Sequence, residues 1–486
     1  MKSVLSLLTY TAAELAALVS GELHCFGCDG SVSFNAVATD SREVEEGTLF
    51  LAFAGERVDG HAYISAAAEA GASCVLAAHI PEIIPPRIAI VVVEDVLLAL
   101  GKLARDYTHR AGGKMIAVTG SVGKTTTKEF ISAVLGHTHR VHKTAGNHNN
   151  EIGLPMTLLA TPDGTEATVA EMGMCGLGEI DYLSRIACPD IAIVTTIGSS
   201  HLEQLGTREN ICRAKLEITH GLKTDGILLC NGDEPLLFHE ELEGRCPVFV
   251  GIRNRQADFR AVNLRHGVRG MTFDLLYGRH VVTNVEIPVP GQHNVYAALF
   301  AYAVGVMLGM SETEIRAGLA QFRNADMRQS ICEIAGVTVI EDCYNASPES
   351  MRAALEVLSE MGTRNSGVRT AALLGDMREL GTDSVLMHHQ LGISVAQHSI
   401  DYLFTLGESA EEIALGAIRT GMRADRVYVN PDCGRKDVSG EMLLKVLRPG
   451  DILLVKASRA VAAEEVVAYL RKNAARIGTE NNGGGN

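Results

Sequence analysis

The chain is 486 residues long, 47% hydrophobic and 21% charged, with a formal net charge of −15 from 43 basic and 58 acidic side chains. At roughly 150 residues per domain this length predicts about three domains, and the hydrophobic content excludes disorder for the bulk of the chain. The acidic balance repels nucleic-acid phosphate and anionic lipid, so neither a nucleic-acid partner nor membrane insertion is expected, whereas a small anionic substrate met by a local cluster of donors is not excluded.

The first ten residues, MKSVLSLLTY, weakly mimic a leader, but Thr11-Ala12-Ala13-Glu14 reads as a capping box opening a helix to about Val19. Cys25-Phe26-Gly27-Cys28 is the one close cysteine pair. A zinc or redox role there would need a second ligand pair, and the next cysteine is Cys74. Eleven scattered cysteines, an odd number, suit reduced thiols and a cytoplasmic address. The best apolar run, residues 88–100, is broken by Glu94 and Asp95 and is too short for a membrane span. Residues 1–112 read as a small α/β unit with apolar strands at 72–78 and 88–95, and Asp40-Ser41-Arg42 precedes a glycine-turn-strand segment.

From Lys114 the pattern becomes strand, loop, helix, repeated. KMIAVTG, ATVAEMG, DIAIVTTIG and GILLCNGDE are near-continuous apolar runs of the kind that burial on both faces requires. Residues 113–325 therefore predict a central parallel sheet. Residues 326–475 show VTVIEDCYN, TAALLGDM, YLFTLGE, RVYVN and DILLVKASRA between amphipathic stretches of helix length, which predicts a doubly wound, Rossmann-like third domain. The tail 476–486 ends NNGGGN and is expected to be disordered.

The sharpest chemical signal is Gly120-Ser121-Val122-Gly123-Lys124-Thr125-Thr126, entered from an apolar strand and followed by a helix. Glycines let backbone N–H groups converge on phosphate oxygens, and the helix N-terminus adds partial positive charge. Lys124 is placed to reach the β- and γ-phosphates, and the Thr125 hydroxyl to ligate Mg²⁺. The longer nucleotide-binding pattern has a glycine where this chain has Val118, so the match is to the shorter TGxxGK[ST]T form. Glu171 ends the strand ATVAEMG, at the edge that faces a nucleotide crevice in a parallel sheet. Taken alone, an exposed loop acid explains it better. His201 follows DIAIVTTIG in a similar position, where a packed loop histidine is the plainer account.

These motifs together resemble the Mur ligase family of ATP-dependent amide-forming enzymes. The resemblance runs from Asp40 to about Glu464 through DSR, TGSVGKTTTKE, TAGNHNNEIGLPMTLL, AEMGM, HLEQLG, RAKLEI, PGQHNVYAAL, EDCYNASPESM, LLGDMRELG and LVKASRA. NNEIGLP and YNASPESM point to the branch that adds a dipeptide. A relative adding another amino acid or glutamate, or a non-catalytic nucleotide-binding paralogue, is the alternative; erosion of Lys124, Glu171, His201 or Lys215 would mark the latter, and all four are present.

The resemblance implies that ATP activates the terminal carboxylate of a UDP-N-acetylmuramoyl-tripeptide as an acyl phosphate, which the amine of D-alanyl-D-alanine then attacks, in peptidoglycan precursor synthesis. A monomer is expected. The resemblance further implies two Mg²⁺ sites drawing on Thr125, Glu171, His201 and Lys215, the last as a carbamate. It places Asn294, Arg328 and Asp342 beside the nucleotide, with Lys124, His201, Lys215 and Arg328 in the catalytic set. Related chains carry a second asparagine where this one has Ala297. Ser41 and Arg42 fall in the region that holds the uridine diphosphate. Asn149, Asn150 and Glu151 are assigned to the sugar-peptide channel, with helix capping as the plain alternative. Tyr344, Asn345, Lys456, Ser458 and Arg459 are candidates for the dipeptide, as are Asp376 and Glu379 more weakly.

Overall fold

The computed structural model describes residues 1–55, 58–238, 245–267, 270–363 and 367–478. Three main sheets organise them. The first has six strands in the order Lys2–Val4, Ala36–Ala38, Thr48–Leu51, Ala72–Ala77, Ile88–Val92, Glu22–Phe26. The leader-like start is thus the edge strand Lys2–Val4, antiparallel to Ala36–Ala38. The helix Ala12–Val19 follows, and Thr11 and Glu14 close its capping box in both directions.

The second sheet has nine strands. Seven run parallel: Val141–Lys143, Ala167–Glu171, Lys114–Thr119, Ile191–Val194, Ile227–Asn231, Val248–Gly251 and Phe259–His266. The sheet then continues as an antiparallel meander through Met271–Tyr277 and His280–Ile287. The first strand of this sheet in chain order, Lys114–Thr119, lies between Ala167–Glu171 and Ile191–Val194, both parallel to it. The chain therefore leaves it first toward one edge and later toward the other. The crevice at such a reversal, beyond the strands' carboxyl ends, is where parallel sheets bind ligands.

The third sheet runs Ser330–Ile334, Val337–Asp342, Ile452–Lys456, Thr370–Gly375, Tyr402–Leu406, Val427–Asn430, parallel except for its first strand. Its middle three strands bring the segments after Asp342, Gly375 and Lys456 together at one edge. Of the tail expected to be disordered, Arg476 ends a 3₁₀ turn and Ile477 is buried; an apolar residue with a surface to cover holds those positions, and residues 479–486 lie outside the described residues.

The cores are shared unequally. One apolar cluster runs without a break from Leu15, Leu49 and Leu76 of the first sheet's domain to Met115, Leu158 and Ile180 of the second. The third sheet keeps clusters of its own on its two faces. The first two domains are also pinned by buried polar contacts: Ser3 Oγ donates to the Met156 carbonyl at 2.7 Å and Tyr182 OH to the Leu97 carbonyl at 2.8 Å.

Behind the strand Lys114–Thr119, the helix Lys124–Leu135 packs on the buried helix Gln292–Met307. There the Phe130 and Phe322 rings stack with centroids 3.6 Å apart. Phe130→Ala removes that contact and leaves a void, at a cost of about 3–5 kcal/mol. The expected result is a matching loss of hydrogen-exchange protection in the strand Lys114–Thr119; unchanged protection would show that the stack does not support the nucleotide-binding edge.

Candidate active site

The loop Gly120–Gly123 leaves Lys114–Thr119 and enters the helix Lys124–Leu135 through Gly123, which is left-handed at φ 88°. Gly120 has φ 143°, and a Cβ there would overlap the Thr195 hydroxyl. Both positions need glycine, one for its backbone and one for the close approach. Thr195 Oγ1 donates to the Val122 carbonyl at 2.7 Å, and Ser121 N–H to the Thr196 carbonyl at 2.8 Å. The turn is thereby tied to the neighbouring strand's end.

Lys124 Nζ donates to the Gly120 carbonyl at 2.7 Å, so its ammonium spans the loop. Burial lowers its pKa; Arg328 lowers it further, against the pull of Glu171. The Thr125 hydroxyl donates to Glu171 Oε2 at 2.9 Å, and Asn149 Nδ2 donates to Glu171 Oε1 at 3.0 Å. Glu171 is 2% exposed. It is therefore a buried strand-end carboxylate, not an exposed loop acid. Asn150 follows the plain alternative instead: its Oδ1 accepts from Gly153 N–H at the start of the helix Gly153–Leu159. Glu151 is half-buried and makes no hydrogen bond or ion pair among the described residues.

A cavity of about 740 Å³ opens beside this loop, between the second and third domains. It gathers Ser121 through Thr126 with Arg328, Asp342, Asn345 and Lys456. The Arg328 guanidinium lies 4.3 Å from the Tyr344 ring centroid. Lys456 is not a free cation. It is 2% exposed, and its Nζ donates to Asp342 Oδ2 at 2.7 Å and to the Asn345 carbonyl at 3.0 Å. Asp342 and Lys456 are register partners on adjacent parallel strands, which forces the pairing. Arg459 is taken up by Glu464, and Ser458 Oγ accepts from Arg378 N–H at 3.0 Å.

Asn294 is also occupied. Its amide donates to the Pro290 carbonyl at 2.6 Å and to Gln329 Oε1 at 3.1 Å, holding the helix start to the interdomain segment. The cavity wall there is Ala297 with His293, Tyr296 and Asp233, where Tyr296 OH donates to Asp233 Oδ2 at 2.7 Å. Ser41 and Arg42 sit in a 3₁₀ turn of the first domain, away from this cavity. Arg42 grips Asp40 through Nε at 2.9 Å and is 87% exposed.

His201 is left-handed at φ 65°, and its Nδ1 lies 2.8 Å from Glu379 Oε2 of the third domain, though the N–H axis does not point along that line. Lys215, on the helix Arg208–Leu216, is 1% exposed, and its side chain makes no hydrogen bond or ion pair among the described residues. Burial first, then the charge of Lys124, pushes its pKa well below the ordinary lysine value. Among the described residues no three His, Cys, Asp or Glu side chains are gathered as a metal centre. The donors that do fit Mg²⁺ are the Thr125 hydroxyl and Glu171, hard oxygens on a site that substrate phosphates and water would complete.

Sequence reasoning passed over Thr195 and Glu349. Thr195 directly follows an apolar strand, a signal that was available. Glu349, at the start of the helix Pro348–Thr363, accepts from Ser199 Oγ at 2.9 Å across the domain boundary; it lies within YNASPESM, but nothing local marks its partner.

Three family models match the chain: the Mur ligase family catalytic domain over residues 33–108, the Mur ligase middle domain over 118–305, and the Mur ligase glutamate ligase domain over 327–459. The UDP-N-acetylmuramoyl-tripeptide–D-alanyl-D-alanine ligase of Bacillus subtilis is 39% identical over 95% of this chain and 98% of its own length. The enzyme of the same name from Escherichia coli is 33% identical over 96% and 99%. A crystal structure of MurF from Acinetobacter baumannii has a TM-score of 0.86 at 30% identity, covering 96% of this chain and all of its own. That of MurF ligase from Thermotoga maritima in complex with ADP has a TM-score of 0.80 at 30% identity, covering 90% and 98%.

The lowered pKa of Lys215 gives a signed prediction. Between that pKa and the ordinary 10.5 the folded chain holds a neutral amine and the unfolded chain an ammonium. The folded state binds fewer protons, so its stability rises with pH across the window. Lys215→Met removes the amine at similar size. In CO₂-free buffer the variant should melt above the parent at pH 7, and the gap should shrink as pH approaches 10.5; a gap that grows with pH contradicts the assignment.

Proposed function

The chain belongs to the Mur ligase family, and from that premise we propose that it joins UDP-N-acetylmuramoyl-tripeptide to D-alanyl-D-alanine at the expense of ATP, in peptidoglycan synthesis. The observation that carries this reading is the buried Thr125–Glu171 pair beneath the phosphate loop, at the point where the sheet's chain direction reverses and beside a cavity that a second domain covers. We assign residues 1–112 to the UDP-linked substrate, 113–325 to ATP and 326–475 to the acceptor dipeptide.

A carboxylate is a poor acyl donor because its leaving group would be oxide. Attack of a carboxylate oxygen on the γ-phosphorus forms the new O–P bond, and ADP leaves with the electrons of the old one. The product is an acyl phosphate, from which phosphate departs readily when the dipeptide amine adds and loses its proton. The loop amides and the N-terminus of the helix Lys124–Leu135 hold the phosphates, and Lys124 adds a cation over them. Arg328, facing the same cavity from the third domain, offers a second cation where negative charge develops. The covering domain excludes water, which would otherwise hydrolyse the acyl phosphate.

Thr125 and Glu171 would hold one Mg²⁺, with Asn149 fixing the carboxylate, and His201 with Lys215 a second. Bound there, the metal ions would neutralise phosphate charge. For Lys215 we propose carbamylation: the neutral amine forms an N–C bond to CO₂ and releases a proton, leaving an anionic carbamate. Its burial, its lowered pKa and the nearby positive charge of Lys124 support that chemistry. Asn149 is proposed to act through Glu171, while Asn150 caps a helix. Asp342 is proposed to fix Lys456 instead of touching nucleotide, which leaves Tyr344 and Asn345 as the nearest acceptor-side groups. Ser41 and Arg42 remain our candidates for the uridine diphosphate.

All eleven cysteines are free, and among the described residues no helix is long and apolar enough to cross a membrane. The free thiols support assignment to the cytoplasm.

Phosphate release from ATP should require both the UDP-linked tripeptide and D-alanyl-D-alanine. Equal release with glutamate or a single amino acid as acceptor would overturn the substrate assignment. Lys124→Ala should lower turnover by at least about a hundredfold, given the ordinary weight of one transition-state charge contact.

A further inference from the structure

Among the contacts across the boundary between the second and third domains, that of Glu379 with His201 joins two residues held in unusual backbone conformations. The segment after the strand Thr370–Gly375 is anchored at each step. Asp376 Oδ1 accepts from Ala410 N–H at 2.8 Å, Met377 N–H donates to His388 Nε2 at 2.9 Å, and Arg378 N–H donates to Ser458 Oγ at 3.0 Å. His388 is fully buried, and its Nδ1 lies 2.7 Å from the Ser384 carbonyl, so Nδ1 carries the proton and Nε2 accepts. These anchors present Glu379 in the left-handed region at φ 65°. Across the boundary His201 is left-handed as well, also at φ 65°. Two residues other than glycine in that region persist only where their surroundings over-determine them. Here each belongs to a different domain. The next turn also runs close to the second domain: Gly381 is at φ 58°, and a Cβ there would stand 3.3 Å from Glu203 Cα.

We propose that Glu379 is the positioning residue for His201, a third-domain carboxylate that fixes the imidazole of the second domain so that its orientation depends on the two domains being together. The carboxylate stands 2.8 Å from Nδ1. Nε2 has no polar partner among the described residues and is the ring atom left for a ligand. A histidine that ligates through one nitrogen is ordinarily oriented by a carboxylate, carbonyl or water on the other. Here the carboxylate comes from across a boundary that no apolar cluster spans among the described residues. What His201 does once oriented rests on the ligase reading; the coupling between the two residues does not.

The test uses Glu379→Ala, Glu379→Gln, His201→Ala and the Ala/Ala double variant of the full chain. Glu379→Ala should lower kcat about 10- to 100-fold, raise the Mg²⁺ concentration for half-maximal rate, and leave KM for the UDP-linked tripeptide unchanged. The double variant should be no slower than His201→Ala alone, because the carboxylate acts only through the ring. Without nucleotide or metal, hydrogen exchange over residues 198–206 should quicken in Glu379→Ala and stay at the parent level in the strand Lys114–Thr119. If Glu379→Ala does not fold, Glu379→Gln, which keeps the size and loses the charge, is held to the same outcomes. A parent-like rate, additive losses in the double variant, or unchanged exchange over 198–206 would each overturn the proposal. None of these touches the parent enzyme's requirement for both substrates, so failure here is separable from failure of the ligase assignment.

Discussion

Glu171 is 2% exposed, and a buried carboxylate is tolerated only where its oxygens are answered. Four residues from three segments answer this residue. Thr125 comes from the helix behind the phosphate loop, Asn149 from the loop before the helix Gly153–Leu159, and Lys128 stands 3.7 Å away on the next turn; the Thr144 hydroxyl accepts from the Glu171 backbone N–H. The same Lys128 donates to the Thr144 carbonyl at 2.7 Å. One charge at the end of one strand thus draws the nucleotide loop and the NNEIGLP segment onto a common point. Removing any partner would leave a buried ion short of a bond, which is why the network constrains the fold and the chemistry together.

The distribution of apolar surface decides which parts can move. The first and second domains share a continuous core and behave as one body by packing. The third meets them through polar groups: His201 with Glu379, Ser199 with Glu349, Asn294 with Gln329. The segment that joins it contains Met327 and Gln329, both with positive φ, on either side of Arg328. Such contacts can be broken and remade in water at little cost, whereas a shared core cannot. A domain that must admit substrates and then exclude water is best joined in this way.

Patterns carried by neighbouring residues were legible in the sequence. The alternation of apolar strands and amphipathic stretches marked the parallel cores of the second and third sheets, and the loop 120–126 stands where its glycines and hydroxyls placed it. The antiparallel strands Met271–Tyr277 and His280–Ile287 were not marked, because an edge meander alternates polar and apolar residues without the continuous runs that announce a buried strand. Charge partners were hidden for a different reason. Lys456 reads as an available cation until strand order sets it beside Asp342, 114 residues earlier. Asn294 reads as a nucleotide ligand until Gln329 comes within reach. Register and domain contact decide such pairings, and neither is a local property. Asn149 and Asn150 make the point within two residues, since one turns to Glu171 and the other caps a helix.

Gly198 stands between the phosphate loop and the third domain. A Cβ built on it would lie 3.2 Å from the Ser121 Cβ and 3.0 Å from the Glu349 carboxyl carbon. The clearance between the two bodies at this point is therefore a single hydrogen atom wide. A methyl group there would press on the Glu349 carboxylate from the phosphate-loop side, so the carboxylate that accepts from Ser199 would have to give way. The fit between the phosphate loop and the third domain at this point depends on a side chain that is not there.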